Sequence, residues 1–242
     1  MKKIAIMSGK GGVGKSSVAI SLSLVLSKTK KVLLLDFDLC GPSCVKSLSA
    51  TGSVLKAEKG LKPIQVTDNL FLISMGSMMS ETDSVVWRGP KKLSMLNLFY
   101  ESIDGYDFII IDTPPGVSEE HGFLINKGIE SIVVTTSQNI ALSDSVKAVE
   151  FCKNNGIDII GVIENMSGYK CECCGEINYV FAANGGRLLA ERYDLEFLCC
   201  LEVDSKFSNL MDSGDLKEKF TELSNSKILE GVCETKLFKS KY

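Results

Sequence analysis

The chain is poor in the residue that most often marks a catalytic or metal site. Among 242 residues there is one histidine, His121. There is also one Cys-x-x-Cys pair, with no second pair or Cys/His cluster beside it. One chain therefore lacks the four ligands that a closed zinc or iron–sulfur site normally takes. An excess of charge is missing too: 27 Lys and Arg stand against 30 Asp and Glu, a net charge of −3. That balance gives no global electrostatic reason to expect nucleic acid or an anionic membrane. No apolar run approaches the length of a spanning helix, and the stretch behind Lys2 and Lys3 stops at Ser8, too short for a signal-peptide core. An intracellular, soluble chain is expected. Its nine cysteines should then be thiols, buried hydrophobes or metal ligands rather than disulfides. Internal repeats, low-complexity tracts and linkers are absent as well.

What is present is alternation. Apolar, β-branched runs at 2–7, 31–38, 69–75, 106–112, 131–136, 158–166 and 196–203 read as strands, most of them apolar throughout, as strands covered on both faces are. Between them, 16–30, 90–102, 141–155 and 184–193 carry apolar residues at helical spacing. This predicts a doubly wound α/β fold with a mainly parallel sheet, and 242 residues suit a single domain. Two stretches break the rhythm. Three cysteines crowd into "GYKCECCGEINYV", from Gly168 to Val180, and the tail from about Ser224 has weak periodicity, so it is expected to be weakly structured.

"GKGGVGKS", comprising Gly9, Lys10, Gly11, Gly12, Val13, Gly14, Lys15 and Ser16, follows the first strand and opens a helix. In that setting it is a phosphate-binding loop. Its backbone N–H groups turn toward phosphate oxygens, Lys15 meets the β- and γ-phosphates and Ser16 ligates Mg²⁺. Asp36 and Asp38 close the second strand run, and Asp112 closes another before "TPPG". Ligands of open α/β sheets bind beyond the carboxyl ends of strands, so these acids should converge near the phosphates. Lys10 is surplus to the loop's own needs.

Cys171 and Cys174 form the C-x-x-C, with Cys173 between them. The spacing lets two thiolates bind one metal centre, zinc or iron–sulfur, and two ligands per chain suggest a symmetric dimer that supplies four. Cys199 and Cys200 lie inside an apolar strand run and read as packing residues, whereas Cys40, Cys44, Cys152 and Cys233 are scattered and carry no assignment. His121 reads as structural or nucleotide-linked rather than as a metal ligand.

"KGGVGKSS" resembles the deviant Walker A motif of the ParA/MinD/nitrogenase-iron-protein class, in which an extra lysine precedes the glycines. More narrowly, "DFDLCGPS", "VVWRGP", "IIIDTPPGVSEEH" and "GVIENMSGYKCECCG" resemble, in order and spacing, the motifs of the Mrp/nucleotide-binding-protein family of iron–sulfur carrier ATPases, over residues 2 to about 215. The resemblance implies that Lys10 reaches across a dimer interface to the partner's nucleotide. It implies that Asp38 orients the attacking water, that Asp36 lies near Mg²⁺ and that Asp112 is the Walker B acid. Ser17 becomes a further phosphate contact, and Asn165 the asparagine that reads the adenine edge. A labile [4Fe–4S] cluster would sit between subunits on paired Cys171 and Cys174, for ATP-dependent assembly and transfer to cytosolic and nuclear apo-proteins, with slow hydrolysis.

The sequence departs from that family in places. Glu172 stands where proline is common, Cys173 is additional, and Ile177 stands where many eukaryotic members have a third cysteine. Without an N-terminal cysteine-rich extension the chain resembles the shorter subunit of the eukaryotic cytosolic scaffold pair, which implies a homodimer or a hetero-oligomer, up to a heterotetramer, with the longer one. Alternatives are a positioning or switch ATPase of the MinD/ParA type, an electron donor like the nitrogenase iron protein, and a zinc-bridged assembly factor. A membrane-binding C-terminal helix, a basic DNA-binding face or widely spaced cluster cysteines would favour the first two, and none is evident.

Overall fold

Strand β1 (Lys2–Met7) runs into the glycine-rich loop and then into helix α1 (Lys15–Leu26). The computed structural model describes residues 1–38, 44–57, 60–74, 89–171 and 173–238. Most of "VVWRGP" and the end of "DFDLCGPS" therefore lie outside the described residues. After α1 come β2 (Val32–Asp36), α2 (Cys44–Ser47), the ribbon of β3 (Leu55–Lys56) and β4 (Leu61–Lys62), β5 (Ile64–Gln65) and β6 (Leu70–Ser74). Next are α3 (Gly89–Tyr100), β7 (Phe108–Asp112), α4 (Glu119–Gly122), β8 (Glu130–Thr135), α5 (Asn139–Asn154) and β9 (Ile159–Glu164). A second ribbon, β10 (Tyr169–Lys170) and β11 (Ile177–Asn178), precedes α6 (Gly185–Arg192), β12 (Phe197–Cys200), α7 (Ser205–Ser213), α8 (Leu216–Lys219) and α9 (Ser224–Val232).

Eight strands make one sheet in the order β12-β9-β8-β1-β7-β2-β6-β5. Every pairing is parallel except that of β5 with β6 at the edge. The expected strands are all present, and their unbroken apolar character has the anticipated cause. Ile4 and Ile6 of β1 join one core cluster while Ala5 and Met7 join another, so both faces of the sheet are covered. No helix among the described residues is long and apolar enough to cross a membrane.

The C-terminal segment differs from the weakly structured tail that its periodicity suggests. Ser224–Val232 is helical and continues into a π-helical turn, Cys233–Leu237. Leu229, Val232, Cys233 and Leu237 are buried. The reason lies in α1, which is apolar on all sides, with every residue from Val18 to Leu26 buried. A helix of that kind cannot face water. The sheet covers one side of α1, and α9 packs on it from another.

Candidate functional site

The sheet order puts β1, β7 and β2 side by side, with Asp36 and Asp112 in register at their carboxyl ends. The glycine loop leaves β1 beside them. Gly12 and Gly14 take φ of +80° and +83°, left-handed values that favour glycine. Gly9 is constrained differently: a Cβ there would lie 1.7 Å from the Asp144 carbonyl oxygen of α5, so helix backbone presses directly on the loop. Val13 is buried, Gly11 and Gly12 are exposed, and Lys10, Gly14, Ser16 and Ser17 are half-buried at the mouth. Among the described residues Lys10 has no ion pair; its carbonyl accepts from Ser8 Oγ at 2.8 Å.

Lys15 points inward instead. It is 7% exposed, and its Nζ lies 3.4 Å from Asp112 Oδ1. Asp112 is buried, which raises its pKa above the usual carboxylate range against the pull of Lys15 and a hydrogen bond from Ser16. Asp36 is buried too, accepting from Ser74 Oγ at 2.9 Å and from the Asp38 backbone N–H at 3.2 Å. Burial, with the neighbouring Asp112 charge second, pushes Asp36 up to about 7. Two neighbouring carboxylates are thus buried, and Lys15 pairs with Asp112 alone of the two. This surplus of negative charge, beside the Ser16 hydroxyl, is a donor set that fits a hard divalent cation with oxygen ligands.

Asn165 follows β9, and its Nδ2 donates to the Val13 carbonyl at 2.9 Å, bracing the loop. It also lines a cavity of about 240 Å³ together with Ser17, Met166, Val203, Phe207 and Met211. The side chain that the resemblance assigns to the base is therefore already tied to the phosphate loop. Ser17 Oγ faces Met211 Sδ at 3.5 Å across the same cavity.

The three clustered cysteines occupy the turn between β10 and β11, a ribbon that follows the end of β9 and is bridged through Tyr169 to Val203, just after β12. Gly175, with φ of +75°, closes the turn: its N–H donates to the Cys171 carbonyl at 2.8 Å, and Cys171 N–H to the Glu176 carbonyl at 2.9 Å. Backbone N–H groups of Cys174 and then Cys173 donate to the Cys171 sulfur and hold its pKa below the usual thiol value. Cys173 and Cys174 are exposed, Cys171 half-buried. The three sulfurs are not gathered within 4.8 Å of one another, so the turn does not form a three-ligand pocket by itself. Tyr169, Ile177, Tyr179 and Val180 expose apolar surface around it. Cys199 is buried in β12 as expected, whereas Cys200 is only half-buried, at the strand's end beside Ser167.

Two features escape the sequence. Cys44, given no role there, lies 3.9 Å from Asp112 Oδ2, joining Asp36 and Asp112 in a buried group of three. Nothing in its spacing marks it, because the fold alone brings α2 to these strand ends. The second is a relay in which Lys92 of α3 pairs with Glu120 at 2.7 Å, Glu120 accepts from Ser118 Oγ at 2.6 Å, and the Ser118 N–H donates to His121 Nδ1 at 3.1 Å. His121 is fully buried, its Nε2 has no partner among the described residues, and burial pushes its pKa down to about 4.

A strand, a glycine loop and a helix, with acids at two adjacent strand ends and a lysine between loop and acid, define a P-loop nucleotide-binding fold. Residues 1–235 match the family model described as ParA, NUBPL iron-transfer P-loop NTPase, and the chain belongs to that family. Similar proteins include a cytosolic Fe-S cluster assembly factor Nubp2 homolog of Aedes aegypti, 43% identical over 244 residues, 96% of this chain and 94% of that protein. Another is the cytosolic Fe-S cluster assembly factor CFD1 of Yarrowia lipolytica, 39% identical over 246 residues, 96% of this chain and 84% of that protein. Among solved structures, the nucleotide-binding protein of Archaeoglobus fulgidus in complex with ADP has a TM-score of 0.77 at 28% identity, covering 90% of this chain and 88% of its own. The septum site-determining protein MinD of Pyrococcus horikoshii, with Mg-ADP, has a TM-score of 0.67 at 22% identity, over 98% of this chain and 96% of its own, and shares the fold.

Proposed function

We propose that the chain is a cytosolic, nucleotide-dependent scaffold that holds a [4Fe–4S] cluster between two subunits and passes it to apo-proteins. The observation that carries this reading is the exposed β10–β11 turn, where Cys171 and Cys174 stand at the rim of apolar surface formed by Tyr169, Ile177, Tyr179 and Val180. Two thiolates leave a cluster half-ligated, and a second copy of the turn, or a homologous subunit, supplies the rest. An apolar surround shields such a cluster once two chains meet. The backbone N–H groups that already stabilise thiolate at Cys171 also suit sulfur bound to iron.

Lys15 and the loop N–H groups bind the phosphates, Ser16 and the carboxylates of Asp36 and Asp112 hold Mg²⁺, and Ser17 and Asn165 meet the nucleotide beside the side cavity. Bound Mg²⁺ neutralises phosphate charge. Asp38 orients the attacking water, and Lys10, standing at the mouth without an ion partner among the described residues, serves the nucleotide of the facing subunit. Hydrolysis is slow and acts as a switch. The route to the cysteines is short: Asn165 braces Val13, the Val203 N–H donates to the Gly168 carbonyl at 2.8 Å, and Val203 lines the nucleoside-side cavity while pairing with Tyr169 of the ribbon.

Anaerobic reconstitution with iron and sulfide tests the reading. Cys171→Ala and Cys174→Ala should each abolish the cluster, Cys173→Ala should retain it, and ATP binding should survive all three. Zinc in place of iron and sulfide in the anaerobically purified protein would favour a zinc-bridged factor. A cluster in the Cys171→Ala, Cys174→Ala double variant would remove the carrier function.

A further inference from the structure

Cys44 takes no part in the nucleotide chemistry just described, yet it is fully buried against it. Its sulfur, one oxygen of Asp36 and one of Asp112 all lie within 4.8 Å of one another, although they come from three separate elements, α2, β2 and β7. Each carboxylate is held from outside the group. Asp112 keeps Oδ1 toward Lys15 and turns Oδ2 toward Cys44, and Asp36 takes the Ser74 hydroxyl on Oδ2. Such outer partners orient metal ligands.

We propose that Cys44 makes this group a site for a borderline divalent cation, of the Zn²⁺, Co²⁺ or Fe²⁺ class, when no nucleotide is bound. The proposal deepens the reading of Asp36 and Asp112 as cation-holding carboxylates and rests on it. Charge supplies the first reason. In the loaded site two carboxylates and a thiolate carry three negative charges, and a dication with the Lys15 ammonium balances them, which matters in a site excluded from water. Distance supplies the second: sulfur and oxygen on one tetrahedral zinc stand about 3.5 Å apart, and Cys44 Sγ is already 3.9 Å from Asp112 Oδ2. Softness supplies the third. Mg²⁺ takes oxygen ligands in octahedral geometry, whereas a borderline ion gains from sulfur, so the thiol biases the empty site away from Mg²⁺. On loading, the metal–sulfur bond forms, the thiol proton and any proton held on Asp36 pass to water, and no electron moves.

The test is a cobalt titration of nucleotide-free, magnesium-free protein in which Cys171, Cys173 and Cys174 have been changed to Ser, so that the ribbon is silent. A near-ultraviolet thiolate-to-cobalt absorption should appear and saturate at one ion per chain. Adding Cys44→Ser should abolish the absorption and weaken cobalt binding at least about tenfold. Cys44→Val, whose thermal transition shows that it is folded, should also lack the absorption. No absorption in the ribbon-silenced protein, or one that persists in both Cys44 variants, overturns the proposal. Binding of Mg·ATP by the ribbon-silenced protein is measured separately. If it binds without any cobalt–sulfur absorption, only the role of Cys44 falls; if it does not bind, the carboxylate reading falls and the proposal with it.

Discussion

Asp36 shows how one buried side chain ties stability to pH. An acid whose folded pKa, about 7, exceeds its ordinary value of 3.8 holds its proton more tightly in the folded chain than in the unfolded one. Stability contributed by the protonated form is therefore present at low pH and is lost as pH rises between those values; above about 7 the folded chain carries the whole cost of a buried carboxylate beside Asp112. Asp36→Asn should raise the melting temperature of the nucleotide-free, magnesium-free protein at pH 8, at ~2–4 °C per kcal/mol for a chain of this size. The gain should shrink toward pH 5, and Mg·ATP should protect the variant less than wild type. An equal shift at both pH values would show that Asp36 is not carrying the charge at neutral pH. The acids at 36, 38 and 112 were legible in the sequence because strand-end carboxylates after apolar runs have a known destination in parallel sheets. Cys44 was not, since the signal lay in tertiary placement, and neither was the hydrogen bond from Asn165 to the Val13 carbonyl.

At the scale of elements, apolar runs and helical spacing located every strand of the parallel sheet and the helices α1, α3, α5 and α6, because burial on both faces leaves a direct imprint on composition. The short α2, α4 and α8 and the two-residue ribbons left none: pieces of two to four residues have no period to detect. The C-terminal segment misled for a different reason. Its own periodicity is weak, and the better evidence sat two hundred residues earlier in "SVAISLSLVL", a helix with no polar side to give to water. If α9 is the cover for α1, Leu229→Ala, at a fully buried position, should cost ~2–5 kcal/mol in urea unfolding. A change below about 0.5 kcal/mol, the range of surface substitutions, would mean that α9 does not seal the core.

For the whole molecule, the central question is what two copies achieve that one does not. In a single chain Lys10 has no ion partner among the described residues, and the Cys171–Cys174 turn offers three sulfurs where a closed cluster site takes four ligands. The extra lysine and the solitary C-x-x-C are readable in the sequence, but a face for a second copy is not, because an interface imposes no period on the chain. Mixing Lys10→Ala protein with Lys15→Ala protein addresses the nucleotide side. In the mixed dimer the Lys10→Ala chain binds ATP and receives Lys10 from its partner, so hydrolysis should partly recover; no recovery at any mixing ratio argues against a role across the interface.

The cluster side admits the most direct measurement. Native mass spectrometry of the anaerobically reconstituted protein counts chains and cluster atoms in one particle. A complex of two chains with a single [4Fe–4S] cluster, about two irons per chain, is expected, reverting to cluster-free chains in the Cys171→Ala, Cys174→Ala variant. A complete cluster on a single chain, or one that survives loss of both cysteines, would contradict the shared site on which the account stands.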